Sequence, residues 1–228
     1  MSVPMTTRMF AAALVVVLTR SISAQENQPY EPVYRAWAEG GVMLPQSTEL
    51  RSFPGASGAS KLTLHPGFRV GLGSGYEFTP YFSLDWEIAV LTASVDKASG
   101  LQEMDATITQ VPFLVNAAFQ YQNDTGFTPF VGLGVGVSSA AINVDEARSS
   151  TATVSGSDYE FVFAWQATGG VKYAFKKRWG VGVVYKYLWT ADTKWNLDTT
   201  SSSGSTNQKL DVDGIRSHSV LGFVSYRF

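Results

Sequence analysis

Charged and amide side chains recur in this sequence at alternate positions, on the face that otherwise holds Gly, Ala and Ser. Followed through the chain, that face collects Arg35, Glu39, Arg69, Glu77, Asp85, Glu87, Glu160, Lys172 and Lys186, with Asn116, Gln120 and Gln166 among them. Five acids and four bases turned into a confined space are expected to pair, because an unpartnered charge held away from water is costly. Two uses fit such a set. One is a polar plug that fixes a closed wall, which a small interior favours; the other is a gated pathway in which ion pairs exchange partners.

Other constellations carry less. His218-Ser219, with Asp211 or Asp213 near in sequence, has the residue types of a hydrolase triad. Adjacent residues in a strand point to opposite faces, so the two side chains cannot readily hydrogen-bond, and no catalytic residue is expected. Asp211-Val212-Asp213-Gly214 resembles half a calcium loop, yet the remaining ligands are absent and Asp-Gly is a common turn. His65, alone before Pro66, makes no metal site. Gly71 to Gly75 and Gly132 to Gly136 alternate with Leu, Ser and Val inside strand patterns and lead into no helix, which removes a phosphate-loop reading. With no cysteine in 228 residues there is neither thiolate chemistry nor a disulfide framework. No metal and no cofactor are expected, and a net charge of -2 gives no reason to expect nucleic acid.

The elements that must position these side chains are strands. Apolar residues recur every second position in eight runs: Val33 to Leu44, Gly67 to Phe78, Tyr81 to Val95, Asp105 to Tyr121, Thr128 to Asn143, Tyr159 to Phe175, Trp179 to Asp192 and Lys209 to Phe228. Connectors at 79–80, 122–127 and 176–178 are short. Those at 45–66, 96–104, 144–158 and 193–208 are longer and rich in Ser, Thr, Gly, Asn and Asp. An even count with short turns at one end and long loops at the other predicts an eight-stranded antiparallel up-and-down barrel, both termini at the short-turn end. Ser201 to Ser205 reads as a mobile loop tip. Phe53 and Trp195 stand out as aromatics exposed in the loops.

The two faces differ in kind. Trp179, Val181, Val183, Tyr185, Tyr187 and Trp189 share one face, and Phe82, Leu84, Trp86, Ile88 and Val90 another of the same character. Their opposite faces are small residues with one or two charges, whereas a water-facing exterior would be dense in Lys, Glu, Thr and Gln. The large apolar face is therefore expected to meet lipid, with Trp and Tyr as girdles, in preference to a lipocalin-like carrier with an apolar interior. Residues 1–24 read as a cleaved secretory signal: basic Arg8, then Met9 to Leu18 uncharged and mostly apolar, then Ser21, Ser23 and Ala24. That run is too short to span a bilayer as a helix, and residues 25–228 are left as a single barrel domain.

Thr128-Pro129-Phe130-Val131-Gly132-Leu133-Gly134-Val135-Gly136, Phe163 to Val171, Trp179 to Leu188 and His218 to Phe228 resemble the outer-membrane β-barrel family of opacity-protein and OmpA-transmembrane-domain type. The resemblance runs from Tyr34 to Phe228. It implies a transmembrane barrel in the bacterial outer membrane, among outer-membrane lipid and lipopolysaccharide. It also implies that the alternating terminal strand, with Val224, Tyr226 and Phe228, is read by the outer-membrane assembly machinery. The barrel occupies the whole match, so the peptidoglycan-binding domain of full-length OmpA-type proteins is not expected here. The expected role is structural and surface-interacting, adhesin-like, through four extracellular loops that meet a host or matrix ligand. A low-conductance porin-like channel for small solutes is the alternative, and a lipid-modifying enzyme is disfavoured by the missing Ser-His-acid cluster.

Overall fold

A computed structural model describes residues 30–52, 60–98, 103–148, 152–201 and 204–228. The expected signal segment and Phe53 lie outside them. The described residues form twelve strands: β1 (Val33–Pro45), β2 (Thr48–Ser52), β3 (Ser60–Leu64), β4 (Gly67–Thr79), β5 (Phe82–Ala98), β6 (Glu103–Gln120), β7 (Phe127–Arg148), β8 (Ala152–Ala174), β9 (Trp179–Thr190), β10 (Thr193–Ser201), β11 (Gly204–Val212) and β12 (Arg216–Arg227).

Eight of them close a ring in the order β1, β4, β5, β6, β7, β8, β9, β12, every neighbour antiparallel. Closure pairs the wall's backbone groups internally, which is what lets strands stand in a medium without water. β1 is central to that closure. It meets β12 from Arg35↔Arg227 to Pro45↔Ser217 and β4 from Val33↔Glu77 to Met43↔Gly67. At the short-turn end, the link between β6 and β7 is held by Asn123, whose Oδ1 accepts the Thr125 amide at 2.9 Å. Gly126 follows with φ +78°, a backbone conformation that favours glycine.

The long-loop end departs from the sequence reading. Two expected connectors hold strands: β2 and β3 lie within 45–66, and β10 with the first part of β11 within 193–208. β5, β6, β7 and β8 also run on past the first ring, so a second closed ring continues outward in the order β5, β6, β7, β8, β10, β11, β2, β3. The last expected run is split at Asp213–Ile215, and Ser201 ends β10 where a mobile tip was expected. Prolines and a glycine mark the breaks. Pro66, which has no N–H to donate, separates β3 from β4, and Gly214 separates β11 from β12. A Cβ on Gly214 would overlap the Thr190 carbonyl, and its amide donates to Asp192 Oδ1 at 3.0 Å, tying this break to the one between β9 and β10.

The outside of the first ring is apolar and uncovered. Leu72, Leu133 and Val183 are each more than half exposed, at 58%, 64% and 59%, among many large apolar neighbours. No water-soluble monomer leaves so continuous an apolar surface open, so this belt faces lipid. Ring pairs line its short-turn edge: Tyr34 with Phe228 at 5.4 Å, Trp179 with Tyr226 at 4.9 Å, and Phe127 with Tyr173 at 4.8 Å. Inside the second ring lies an ordinary apolar core of Leu62, Leu64, Ile108, Ile142, Val162, Trp195, Val212 and their neighbours. Trp195, expected on the surface, is its centre: fully buried, with Nε1 donating to the Ala140 carbonyl at 2.9 Å.

Candidate functional site

Strand alternation turns the charged residues of the first ring inward, and cross-strand register decides which of them meet. Glycines make the room. A Cβ on Gly75 would collide with the Asp85 carboxylate, and one on Gly134 with the Asn116 amide, so the small residues of the polar face are spaces for neighbouring side chains.

The charges fall into two layers. Nearest the short turns, Arg35 of β1 holds Asp85 of β5 through Nη2 at 2.7 Å and Nε at 3.2 Å, in the paired-donor geometry that guanidinium offers a carboxylate. Its Nη2 also donates to Ser83 Oγ at 3.0 Å, and Nη1 lies 3.3 Å from Glu77 Oε1. Glu77 is fully buried and takes two more cations, Arg227 Nη2 at 2.5 Å and Lys172 Nζ at 3.5 Å. Lys172 also donates to Gln120 Oε1 at 3.4 Å. Three cations share two carboxylates here.

The second layer is balanced. Arg69 Nη2 donates to Glu87 Oε1 at 2.5 Å and to Gln166 Oε1 at 2.7 Å, and its Nε lies 3.6 Å from Glu39. Lys186 Nζ stands 2.8 Å from both Glu39 Oε1 and Glu87 Oε1. Gln166 Nε2 donates to Glu87 Oε2 at 3.0 Å and to Asn116 Oδ1 at 2.9 Å, while Asn116 Nδ2 reaches Glu87 Oε2 at 3.2 Å. Two bases and two acids thus share the amides as partners, which buried ions need, while Arg69 Nε and Nη1 are buried without a hydrogen-bond partner among the described residues. A cavity of about 70 Å³ lies between the layers, lined by Arg35, Glu39, Asp85, Glu87, Lys172 and Lys186 among others. It has room for a few water molecules.

Above the second layer the lumen turns apolar. Met43, Ala89, Leu91, Ala93, Leu114, Ala164 and Leu188 pack together, and beyond them comes the core around Trp195.

Eight of the nine charged residues singled out from sequence lie in the two layers. Glu160 does not. It stands where the β8 ladder passes from β9 to β10, and its Oε2 accepts the Lys194 amide at 2.5 Å. Asp158, two residues away, accepts the Asn196 amide at 2.7 Å, so two carboxylates stand in for backbone acceptors along a split in the sheet. Sequence reasoning missed Arg227 and Ser83, although alternation puts both on the inner face. His218 and Ser219 diverge as strand geometry dictates. His218 lies on the outer wall between Tyr185 Oη, 2.5 Å from Nδ1, and Gln46 Nε2, 2.6 Å from Nε2. Ser219 is buried on the inner side, its hydroxyl without a hydrogen-bond partner among the described residues. Among the described residues no group of three or more His, Asp or Glu side chains is placed to hold a metal ion. Val224, Tyr226 and Phe228 lie along the outer face of β12 and its end, with Val224 opposite Val181 and Tyr226 opposite Trp179.

Known proteins share this architecture. The family model of the outer membrane protein beta-barrel domain matches residues 10–228. Outer membrane protein PagN of Salmonella typhimurium is 25% identical over 179 residues, covering 71% of this chain and 73% of PagN. Among solved structures, OprG of Pseudomonas aeruginosa aligns with a TM-score of 0.58 and 21% identity, over 85% of this chain and 95% of OprG. Neisserial surface protein A aligns with a TM-score of 0.54 and 13% identity, over 87% of this chain and 100% of that structure. At those identities the two structures share the fold with this chain.

Proposed function

The chain belongs to the outer membrane protein β-barrel family and sits in the bacterial outer membrane, and from that premise we propose an adhesin-like surface-interaction role, carried by the rim raised above the lipid. The observation that carries this reading is the second closed ring with its apolar core. A lumen filled by two polar layers and then by packed side chains favours a plug over a route for solutes, whereas the ring offers a support for whatever its tips touch. The segments that join its strands, residues 53–59, 99–102, 149–151 and 202–203, are the contact points for a host-cell or matrix ligand. On this reading the lumen charges are structural and the protein performs no catalytic step. Lipid and lipopolysaccharide surround the belt, and Val224, Tyr226 and Phe228 serve as the signal to the assembly machinery.

The test is deletion of residues 48–60 or 198–207, each of which spares the eight strands of the first ring. Loss of binding to host cells or matrix, with heat-modifiable gel migration unchanged, is the expected result. Unchanged binding by both deletions would sink the proposal.

A gated channel is the second reading. It is favoured by Lys186, equidistant from two carboxylates, beside a cavity that gives side chains room to shift. Discrete single-channel openings of the refolded protein, altered by Glu87→Gln or Lys172→Met, would support it; silence from a folded barrel leaves a plug.

A further inference from the structure

The short-turn end carries an unusual concentration of positive charge. Lys176, Lys177 and Arg178 follow one another in the turn between β8 and β9, Lys172 stands just inside the wall of β8, and Arg227 comes across from β12. Together they line a cleft of about 180 Å³ at the mouth of the barrel. Its other described lining residues are polar or small apart from Trp179, and among the described residues that line it there is no carboxylate. Asp124 belongs to the neighbouring turn and does not line it. Glu77, beneath the floor, is already held by Arg35, Lys172 and Arg227.

Lys172 and Arg227 are shared with Glu77, whereas Lys176, Lys177 and Arg178 have no ion-pair partner among the described residues. Arg178 Nη1 donates to Tyr226 Oη at 3.1 Å, a neutral partner, and has no carboxylate partner among the described residues. Lys172, with a side chain 9% exposed, makes three cations with Arg35 and Arg227 against Glu77 and Asp85, so the floor of the cleft is itself positive by one charge. A concave surface of one sign beside low-dielectric walls focuses its field on an incoming counter-charge. Its height is also fixed. Trp179 lines the cleft while its ring packs on Tyr226, within the aromatic edge of the belt, which sits at headgroup level. Short turns mark the periplasmic end of such barrels.

We propose that this cleft is a binding site for a phosphate group, supplied by the headgroup of an anionic lipid in the periplasmic leaflet. Lys176 and Lys177 reach the phosphate from the turn, Arg178 offers it a planar pair of donors, and Lys172 and Arg227 supply the positive floor. Free inorganic phosphate presents the same chemistry, and the experiment separates the two sources.

The refolded full chain in zwitterionic detergent is titrated calorimetrically at low salt with short-chain phosphatidylglycerol, short-chain phosphatidylcholine and inorganic phosphate. The variant is Lys176→Gln/Lys177→Gln, which leaves the Arg178–Tyr226 contact and every lumen ion pair in place. The expected result is saturable binding of phosphatidylglycerol, with phosphatidylcholine silent. Binding should weaken about 10- to 30-fold in the variant and be largely lost at high salt, as surface charge interactions are. Heat-modifiable migration verifies folding. Inorganic phosphate that binds as tightly and displaces the lipid would assign the site to soluble phosphate and overturn the lipid part. Equal phosphatidylglycerol binding by the variant, or no saturable binding by the native protein, would overturn the site itself.

Discussion

The interior of this barrel is filled in two opposite ways. Within the apolar belt the wall encloses Arg35, Glu77 and Asp85, then Arg69, Glu39, Glu87 and Lys186; above it β5 to β8, now joined by β10, β11, β2 and β3, enclose Leu62, Ile108, Ile142 and Trp195. One strand shows both. In β5 the outward residues Leu84, Trp86, Ile88 and Val90 face away from Ser83, Asp85 and Glu87, but the inward residues that follow are Ala89, Leu91, Ala93 and Val95, with Thr92 and Ser94 outside. β7 repeats the change, from Val131, Leu133, Val135 and Val137 outside to Ala140, Ile142 and Val144 inside. The strand keeps its direction while the solvent around it changes. Where lipid surrounds the wall, the apolar face turns out and the lumen can be polar; where water surrounds it, burial of apolar surface drives the same residue types inward.

The largest break in the comparison should come from the outer core. Trp195→Ala removes the central side chain of the second ring and its hydrogen bond to Ala140, at a cost of about 4 kcal/mol. The expected readout is protease nicking of the β10–β11 hairpin while the first ring still migrates as folded. Loss of folding throughout would mean that the two rings are one cooperative unit.

Glu87→Gln is the matching lesion in the lumen. Arg69 and Lys186 keep Glu39 but lose their shared second carboxylate, and a buried pair broken on one side costs about 3 kcal/mol. A lower urea midpoint in detergent, without added cleavage of the hairpin, is the expected pattern. Arg69→Met together with Glu87→Leu, which removes both partners, should recover most of that loss.

A smaller effect is expected where the two regions join. Asp158→Asn and Glu160→Gln weaken the acceptors for the Asn196 and Lys194 amides along the split between β8 and β10. The expected cost is about 1 kcal/mol each, because the site is partly open to water. Faster hydrogen exchange at those two amides, with the β8–β9 ladder unchanged, is the measurement.

How much of this was legible in sequence follows from the range of each signal. Period two is local, so the eight runs, the face of each residue and the polar lining could all be read, Glu87 and Lys186 included. Register is not local. That Arg69 meets Gln166, or that three cations converge on Glu77, depends on how strands far apart in sequence slide past one another. The short strands β2 and β3 have five residues each, in segments rich in Ser, Thr and Gly, where alternation is too brief to separate from loop composition. Trp195 was misread for the same reason, since its polar flanks describe a surface loop and only the facing ring gives it an inside. Glu160 shows the converse: its face was read from alternation, but its partner is a backbone amide of a strand the sequence did not announce.

The inversion along β5 and β7, which the sequence reading passed over, is the expected mark of the lipid boundary, and the change with the smallest cost can test it. The chain has no cysteine, so single cysteines at Val90 and Ser94 can each carry one nitroxide label on the outer face of β5. They are four residues apart, about 13 Å along the strand and less along the tilted barrel's axis. If the inversion marks the boundary, a label at Val90 is relaxed mainly by oxygen dissolved in lipid, and one at Ser94 mainly by a water-soluble nickel complex. Neither substitution should change the stability read from urea unfolding by more than about 0.5 kcal/mol, since both positions are exposed and face away from the layers. Lipid-like accessibility at both sites would put the membrane edge above the inversion, and the apolar core of the second ring would then need a cause other than the water around it.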